Sequence, residues 1–170
     1  EENKQHFLLE QQPQYVYSPR ELSRWMRALH SAFTDFKDVH PNDFIRLVAH
    51  EGLRLFCDRL VTNEEKTWCQ QTLDRVFTST FSISDLTVLQ RPILFSRWVD
   101  GCYQSVDRDS LRKYLESRLR VFNEEELNVP LVLFDDVLEH VLRIDRVLRQ
   151  YLGHLLLVGE SGAGKTVLTR

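Results

Sequence analysis

The sequence has few cysteines, no long apolar run and no strong excess of charge of either sign. Its three cysteines, Cys57, Cys69 and Cys102, include no CxxC pair. That excludes zinc-ribbon and thioredoxin spacings, and it fits reduced thiols inside a cell better than a disulfide framework. The six histidines show no metal-ligand spacing. No stretch approaches the roughly 18 apolar residues that cross a bilayer, so membrane insertion is not expected. Lys and Arg number 22 against 25 Asp and Glu, and the signs are interleaved, so no general affinity for nucleic acid is expected. Internal repeats and low-complexity segments are lacking. The polar start, Glu1-Glu2-Asn3-Lys4-Gln5, is no signal peptide. With no initiator Met and an abrupt end, the chain is expected to be a piece of a longer polypeptide.

What is present is mostly helix. The 170 residues are 42% apolar and 28% charged, suiting one domain or two small ones. Residues 1–12 read as the end of a helix stopped by Pro13, and Tyr15-Val16-Tyr17 as a short extended stretch. Ser18, Pro19 and Glu21 form a capping box with proline at the first helical position. Leu22, Trp25, Met26, Leu29 and Phe33 follow as one apolar stripe, expected to face a core.

A second helix is expected from Pro41 to about Val61. Ile45, Val48, Gly52, Leu55 and Phe56 would face inward, with Glu51 and Arg54 among its charged residues. Thr62 and Glu65 predict a capped third helix carrying Trp68, Leu73, Val76 and Phe77. Residues 78–106 are irregular but aromatic, which predicts an ordered connection and not a flexible linker. A fourth helix is expected over about 109–126, lined by Leu111, Tyr114, Leu115, Leu119 and Phe122. Val129–Phe134 is apolar without alternation. Asp135 and Asp136 then open a fifth helix with Val137, Val141, Ile144 and Leu148 on one face, ended by Gly153. His154-Leu155-Leu156-Leu157-Val158 has the composition of a buried parallel-sheet strand.

The motif that carries chemistry follows that strand. Gly159-Glu160-Ser161-Gly162-Ala163-Gly164-Lys165-Thr166 satisfies GxxxxGK[ST], the phosphate loop of ATP- and GTP-binding proteins. Glycines let the backbone close round phosphates, and N–H groups at a strand-to-helix turn point at the anion. Lys165 would meet the β- and γ-phosphates, and the Thr166 hydroxyl would ligate Mg²⁺. A Mg²⁺-holding acid on a second strand and a water-positioning group would lie beyond Arg170, so no catalytic residue is named and turnover by these residues alone is not expected.

The eight loop residues match the myosin phosphate loop, but nothing upstream extends that match. A longer resemblance runs through Tyr15-Val16-Tyr17-Ser18-Pro19-Arg20-Glu21-Leu22-Ser23-Arg24-Trp25 and Ala49–Val61. It continues through Arg91-Pro92-Ile93-Leu94-Phe95-Ser96, Glu124–Phe134, Val137–Arg146 and Gly153–Gly159. In this order the blocks resemble dynein heavy chains, of the cytoplasmic type by the later blocks and by Lys165-Thr166. The resemblance implies a mainly α chain: a helical AAA+ lid subdomain, then the truncated start of an α/β P-loop (AAA+) subdomain. Residues 1–80 would be the lid of the third AAA+ module. Residues 81–130 would be an ordered connection with one long helix, and 131–170 the start of the fourth module.

Two site residues come only from the resemblance. Arg20 matches the family's sensor-2 arginine, which would touch the nucleotide of the third module. On the residues alone, a solvated arginine in the first turn of a helix is an equal reading. Val132, in Leu131-Val132-Leu133, matches the stretch beside the adenine of the fourth module, with plain core as the alternative. Glu160 stands where the family often has an apolar residue, and Val167 where Thr is common.

The resemblance further implies ATP and Mg²⁺ as cofactors and a regulatory nucleotide site. The parent motor would move on microtubules in the cytoplasm and cytoskeleton. It would be a heavy-chain dimer, with intermediate and light chains bound through other parts. A different AAA+ or P-loop ATPase with a helical preface, and a non-enzymatic helical adaptor, are the competing readings.

Overall fold

Serine followed by proline sets the first helix. The computed structural model describes residues 12, 15–34, 40–83, 85–125 and 131–169. The expected helix over residues 1–12 and its stop at Pro13 lie outside these, apart from Gln12. Helix α1 spans Pro19–Phe33, with Ser18 as its extended N-cap. The Glu21 carboxylate accepts from the Ser18 N–H at 2.8 Å and from its hydroxyl at 2.7 Å. This reciprocal box meets donors that a helix start leaves without partners.

Helix α2 spans Pro41–Phe56, with His40 as its N-cap. It stops short of the expected Val61. Cys57 is the C-cap, and the Leu60 N–H turns back to the Cys57 carbonyl at 3.0 Å. Helix α3 spans Asn63–Phe81 from the Thr62 and Glu65 capping box, as the sequence predicts. Tyr15 joins that turn: its hydroxyl donates to Glu65 at 2.7 Å and accepts from the Val61 N–H at 3.0 Å.

These helices close on aromatic rings. Trp25 lies edge-on to Phe56 with centroids 5.6 Å apart, and 6.2 Å from Phe77. Gly52 of α2 faces both rings: a Cβ built there would sit 3.4 Å from Trp25 and 3.5 Å from Phe77, in ordinary van der Waals contact. Phe33, Phe44 and Phe81 form a second aromatic line, at 5.1 and 6.2 Å.

The expected stripe of α1 is corrected here. Leu22 and Met26 are each 57% exposed, because α1 turns Leu29 and Ala32 inward and leaves that pair to the side. Val76 of α3 is likewise exposed. Glu51, read as part of a charged face, is buried instead. Its carboxylate accepts from the Tyr103 hydroxyl at 3.1 Å, with Arg54 at 4.0 Å.

The connection after α3 is ordered. It contains a 3-10 turn, Leu86–Leu89, and is tied down by polar bonds. Arg46 donates to the Val88 carbonyl at 2.9 Å, and His50 Nδ1 meets the Ile93 carbonyl at 2.8 Å. Arg91 grips Asp74 with two bonds of 2.8 and 2.9 Å. Among the described residues, β-structure is limited to the short strands β1, Phe95–Ser96, and β2, Gln104–Ser105.

The chain divides into two compact units. One runs to Ile93 and takes in Tyr103–Ser105; the other holds Leu94–Cys102 and Val106 onward. In the second unit, α4 spans Arg108–Glu125, α5 spans Asp135–Leu148 and α6 spans Lys165–Leu168. Its core gathers Leu94, Leu111, Leu138 and Leu142, with Trp98, Leu115 and Leu133 packed against them. Trp98 also donates to Asp145 at 3.3 Å. Leu148 is exposed, so the apolar face of α5 ends a turn early.

Two apolar segments of this unit depart from expectation. Residues 154–158 are not a strand, and Leu156 and Val158 are each 85% exposed. Val132 is 76% exposed, and Phe134 is exposed too; Val129 and Pro130 lie outside the described residues. A parallel strand is held by neighbours on both sides, and no described residue forms a strand beside either segment. The mainly helical character expected from the sequence holds throughout.

The Glu21 box makes the first helix sensitive to acid. The Ser18 hydroxyl and N–H, against the pull of burial, hold the Glu21 carboxyl down at about 2 from its ordinary 4.5. Its stabilising effect is therefore full above pH 4.5 and is lost as pH falls through about 2. Ser18→Ala is expected to raise hydrogen exchange in the first turn of α1 about fivefold, equivalent to ~1 kcal/mol. It should also move the acid loosening of α1 to higher pH. Exchange mass spectrometry across acid pH checks both; identical profiles for the two proteins would contradict the role of the box.

Candidate phosphate-binding loop

The loop after Val158 is shaped by its glycines. Gly162 has φ +83° and Gly164 has φ +76°, and a Cβ at either would meet nothing within 4 Å. The demand for glycine is thus conformational and not steric: a left-handed backbone that side chains disfavour. Between these glycines the Ala163 N–H turns back to the Glu160 carbonyl at 3.3 Å. Helix α6 begins at once, with Gly164 as its cap and the Leu168 N–H on the Gly164 carbonyl at 2.9 Å.

This geometry leaves donors available. The N–H groups of Gly162, Gly164, Lys165 and Thr166 donate to no described residue. Lys165 Nζ donates to the carbonyls of Gly159 at 2.8 Å and Glu160 at 2.7 Å, so the ammonium lies folded over its own loop. Ser161, Gly162, Ala163 and Thr166 are exposed, as are Gly159 and Glu160; Lys165 is half-buried. A cluster of amides beside a lysine and an exposed threonine suits a phosphate chain with its divalent ion. No group of His, Cys, Asp and Glu among the described residues could hold a metal by itself.

The other two sequence-predicted residues lie apart from the loop. Val132 lines an open groove of about 620 Å³ with Leu131, Leu133 and the Leu119, Arg120 and Asn123 side of α4. No residue of the loop lines that groove. Arg20 belongs to the first unit. There its N–H caps onto Ser18 Oγ at 3.3 Å and its side chain is exposed.

One feature went unread in the sequence. Asp135 opens α5, whose N-cap Phe134 supplies no side-chain hydrogen bond. Arg108 donates to Asp135 at 2.6 Å and Arg112 donates to its other oxygen, while Arg108 also approaches Glu139 at 3.9 Å. Two arginines one turn apart on α4 thus fix the start of α5 and the segment that leads into it. Their spacing of four was the available signal.

Comparisons place both ends of the chain. Residues 1–66 match the family model described as "Dynein heavy chain, ATPase lid domain". Residues 129–170 match "P-loop containing dynein motor region D4". A cytoplasmic dynein heavy chain of Paramecium tetraurelia is 60% identical over 168 residues, 99% of this chain. Those of Drosophila melanogaster and Dictyostelium discoideum are each 53% identical, over 96% and 99% of it. The chain spans about 4% of the length of each of these relatives. No helix among the described residues is long and apolar enough to cross a membrane.

The arginine pair yields a direct expectation. Asp135→Ala should raise hydrogen exchange at residues 131–138 about two- to fivefold. That is ~0.5–1 kcal/mol, because all three side chains are partly solvated. Unchanged exchange there would show that the ion pairs do not hold the start of α5.

Proposed function

This chain belongs to the dynein heavy chain family, and from that premise we propose that residues 159–166 hold the triphosphate of ATP, with Mg²⁺ at Thr166. The observation that carries the reading is the loop itself: two left-handed glycines, N–H groups that donate to no described residue and a lysine folded across them. In this role the loop amides surround the phosphates. Lys165 exchanges its two carbonyl partners for β- and γ-phosphate oxygens, and the Thr166 hydroxyl turns to the ion. Glu160 stays directed at solvent, where its charge is screened. Val132 contributes an apolar surface for the base.

The first unit has a separate part. Residues 1–80 act as the helical lid of the preceding AAA+ module, with Arg20 reaching that module's nucleotide. Residues 81–130 connect the lid to the module that begins at 131–170. In the whole heavy chain this arrangement serves an ATP-driven, minus-end-directed microtubule motor. The motor works as a dimer with intermediate and light chains in the cytoplasm. The site at 159–166 regulates the motor cycle and is not its main hydrolytic centre.

Lys165→Ala in the full heavy chain tests the loop. Losing charge-assisted bonds to phosphate is expected to weaken ATP at this site about 10- to 100-fold, with one fewer nucleotide retained per heavy chain. Gly164→Ala should weaken it less, about 5- to 30-fold, through the left-handed penalty alone. Equilibrium nucleotide binding and retained-nucleotide counts read both. Unchanged stoichiometry and affinity in Lys165→Ala would end the phosphate-loop reading. A regulatory role further predicts that microtubule-stimulated ATPase in Lys165→Ala is slowed but not abolished.

A further inference from the structure

Two of the three thiols meet inside the first unit. Cys57 caps the C-terminus of α2, and Cys69 lies in the second turn of α3, twelve positions on. They are 5% and 4% exposed and share a core cluster with Tyr15 and Leu60. The Cys57 thiol donates to Cys69 Sγ at 2.8 Å, and neither is in a disulfide. A disulfide needs about 2.05 Å between sulfurs, so the pair lies within a small side-chain motion of bonding.

We propose that Cys57 and Cys69 are an oxidative modification site, joined as a disulfide by hydrogen peroxide at the junction of α2 and α3.

The surroundings assign the roles. The Cys57 S–H bond stabilises a thiolate at Cys69, and the nearby Arg91 guanidinium adds to this against burial, which lowers the Cys69 thiol from its usual range. The donating Cys57 thiol is pushed up by the same bond and by burial. Cys69 is therefore the attacking sulfur and Cys57 the resolving one. The Cys69 thiolate attacks one peroxide oxygen, the O–O bond breaks, and Cys69 sulfenic acid forms with release of hydroxide. The Cys57 sulfur then attacks the sulfenic sulfur. The S–O bond breaks, the thiol proton leaves with the oxygen as water, and the S–S bond remains. In total two thiols are oxidised and one peroxide is reduced to two waters.

Peroxide is uncharged and close to water in size, so it suits a pair this deeply covered. A tripeptide disulfide would need the helices to part before exchange could occur. The bond would fasten the turn over residues 57–62, where the Tyr15 hydroxyl already accepts from the Val61 N–H.

Peptide mapping of the full heavy chain tests this. After peroxide and alkylation, trypsin cuts at Arg54, Arg59, Lys66 and Arg75 and releases residues 55–59 and 67–75. These are expected as one cross-linked species, lighter than the sum by two hydrogen atoms and split by dithiothreitol. Its yield should exceed that with equimolar glutathione disulfide about tenfold or more. In Cys57→Ser the Cys69 sulfenic acid should persist and be trapped by dimedone. Recovery of the two peptides separately, alkylated or overoxidised, would overturn the pairing. Absence of dimedone adduct on Cys69 in Cys57→Ser would overturn the assigned order of attack.

Discussion

A carboxylate taken out of water must be met by donors, and the first unit is organised round two that are. Glu21 sits under the start of α1, where it takes both the N–H and the hydroxyl of Ser18 and approaches Arg59 at 3.4 Å. Arg59 lies in the turn that ends α2, so one buried anion joins a helix start to a helix end. Glu51, from the middle of α2, holds the hydroxyl of Tyr103 in the later connection. Leaving either charge unmatched would cost several kcal/mol, which is why the helices cannot slide without breaking these bonds. The aromatic packing of Trp25, Phe56 and Phe77 is non-directional by comparison and fills the space that the anions define.

The second unit is governed by backbone conformation. Its loop owes its shape to Gly162 and Gly164 at positive φ, and to a helix that begins on the second of them. Left-handed residues alternating with right-handed ones turn successive N–H groups into one concavity, and this is a local condition for gripping an anion. The preceding segment is a different matter. Residues 154–158 carry strand composition, yet Leu156 and Val158 face solvent. Composition supplies β-propensity, but a parallel strand exists only as a ladder with its neighbours, and that requirement is not local.

This distinction marks what could be read from the sequence. The capped starts at Ser18 and Thr62 and the helix opening at Asp135 were legible because each rests on residues within one turn of each other. The phosphate-loop pattern was legible for the same reason. The ordered connection after α3 was legible from its aromatic content and not from the long-range bonds to Arg46, His50 and Asp74 that hold it. Periodicity placed Leu29 inward but also Leu22 and Met26, since a stripe fixes the axis of an apolar face and not its width. Burial of Glu51 was not legible, because its partner Tyr103 is 52 positions away. The grip of Arg108 and Arg112 on Asp135, and the meeting of Cys57 with Cys69, likewise depend on helices that pair only once folded.

The position of Lys165 bears on how strongly the loop could hold phosphate. Its ammonium is already satisfied by two loop carbonyls, at 2.8 and 2.7 Å. Binding is then an exchange of partners and not a gain of new ones. The net gain is the difference between charge-assisted bonds to phosphate oxygens and charge–dipole bonds to carbonyls, and only the former pair opposite full charges. The amides of Gly162, Gly164, Lys165 and Thr166 give up no protein partner among the described residues, so each contributes its bond less only what water returned. In the proposed role the glycine-set amides would shape the cradle and orient the phosphates in it. Lys165 would supply the larger, charge-assisted share of the affinity, which is why its loss is expected to cost more than strain at Gly164.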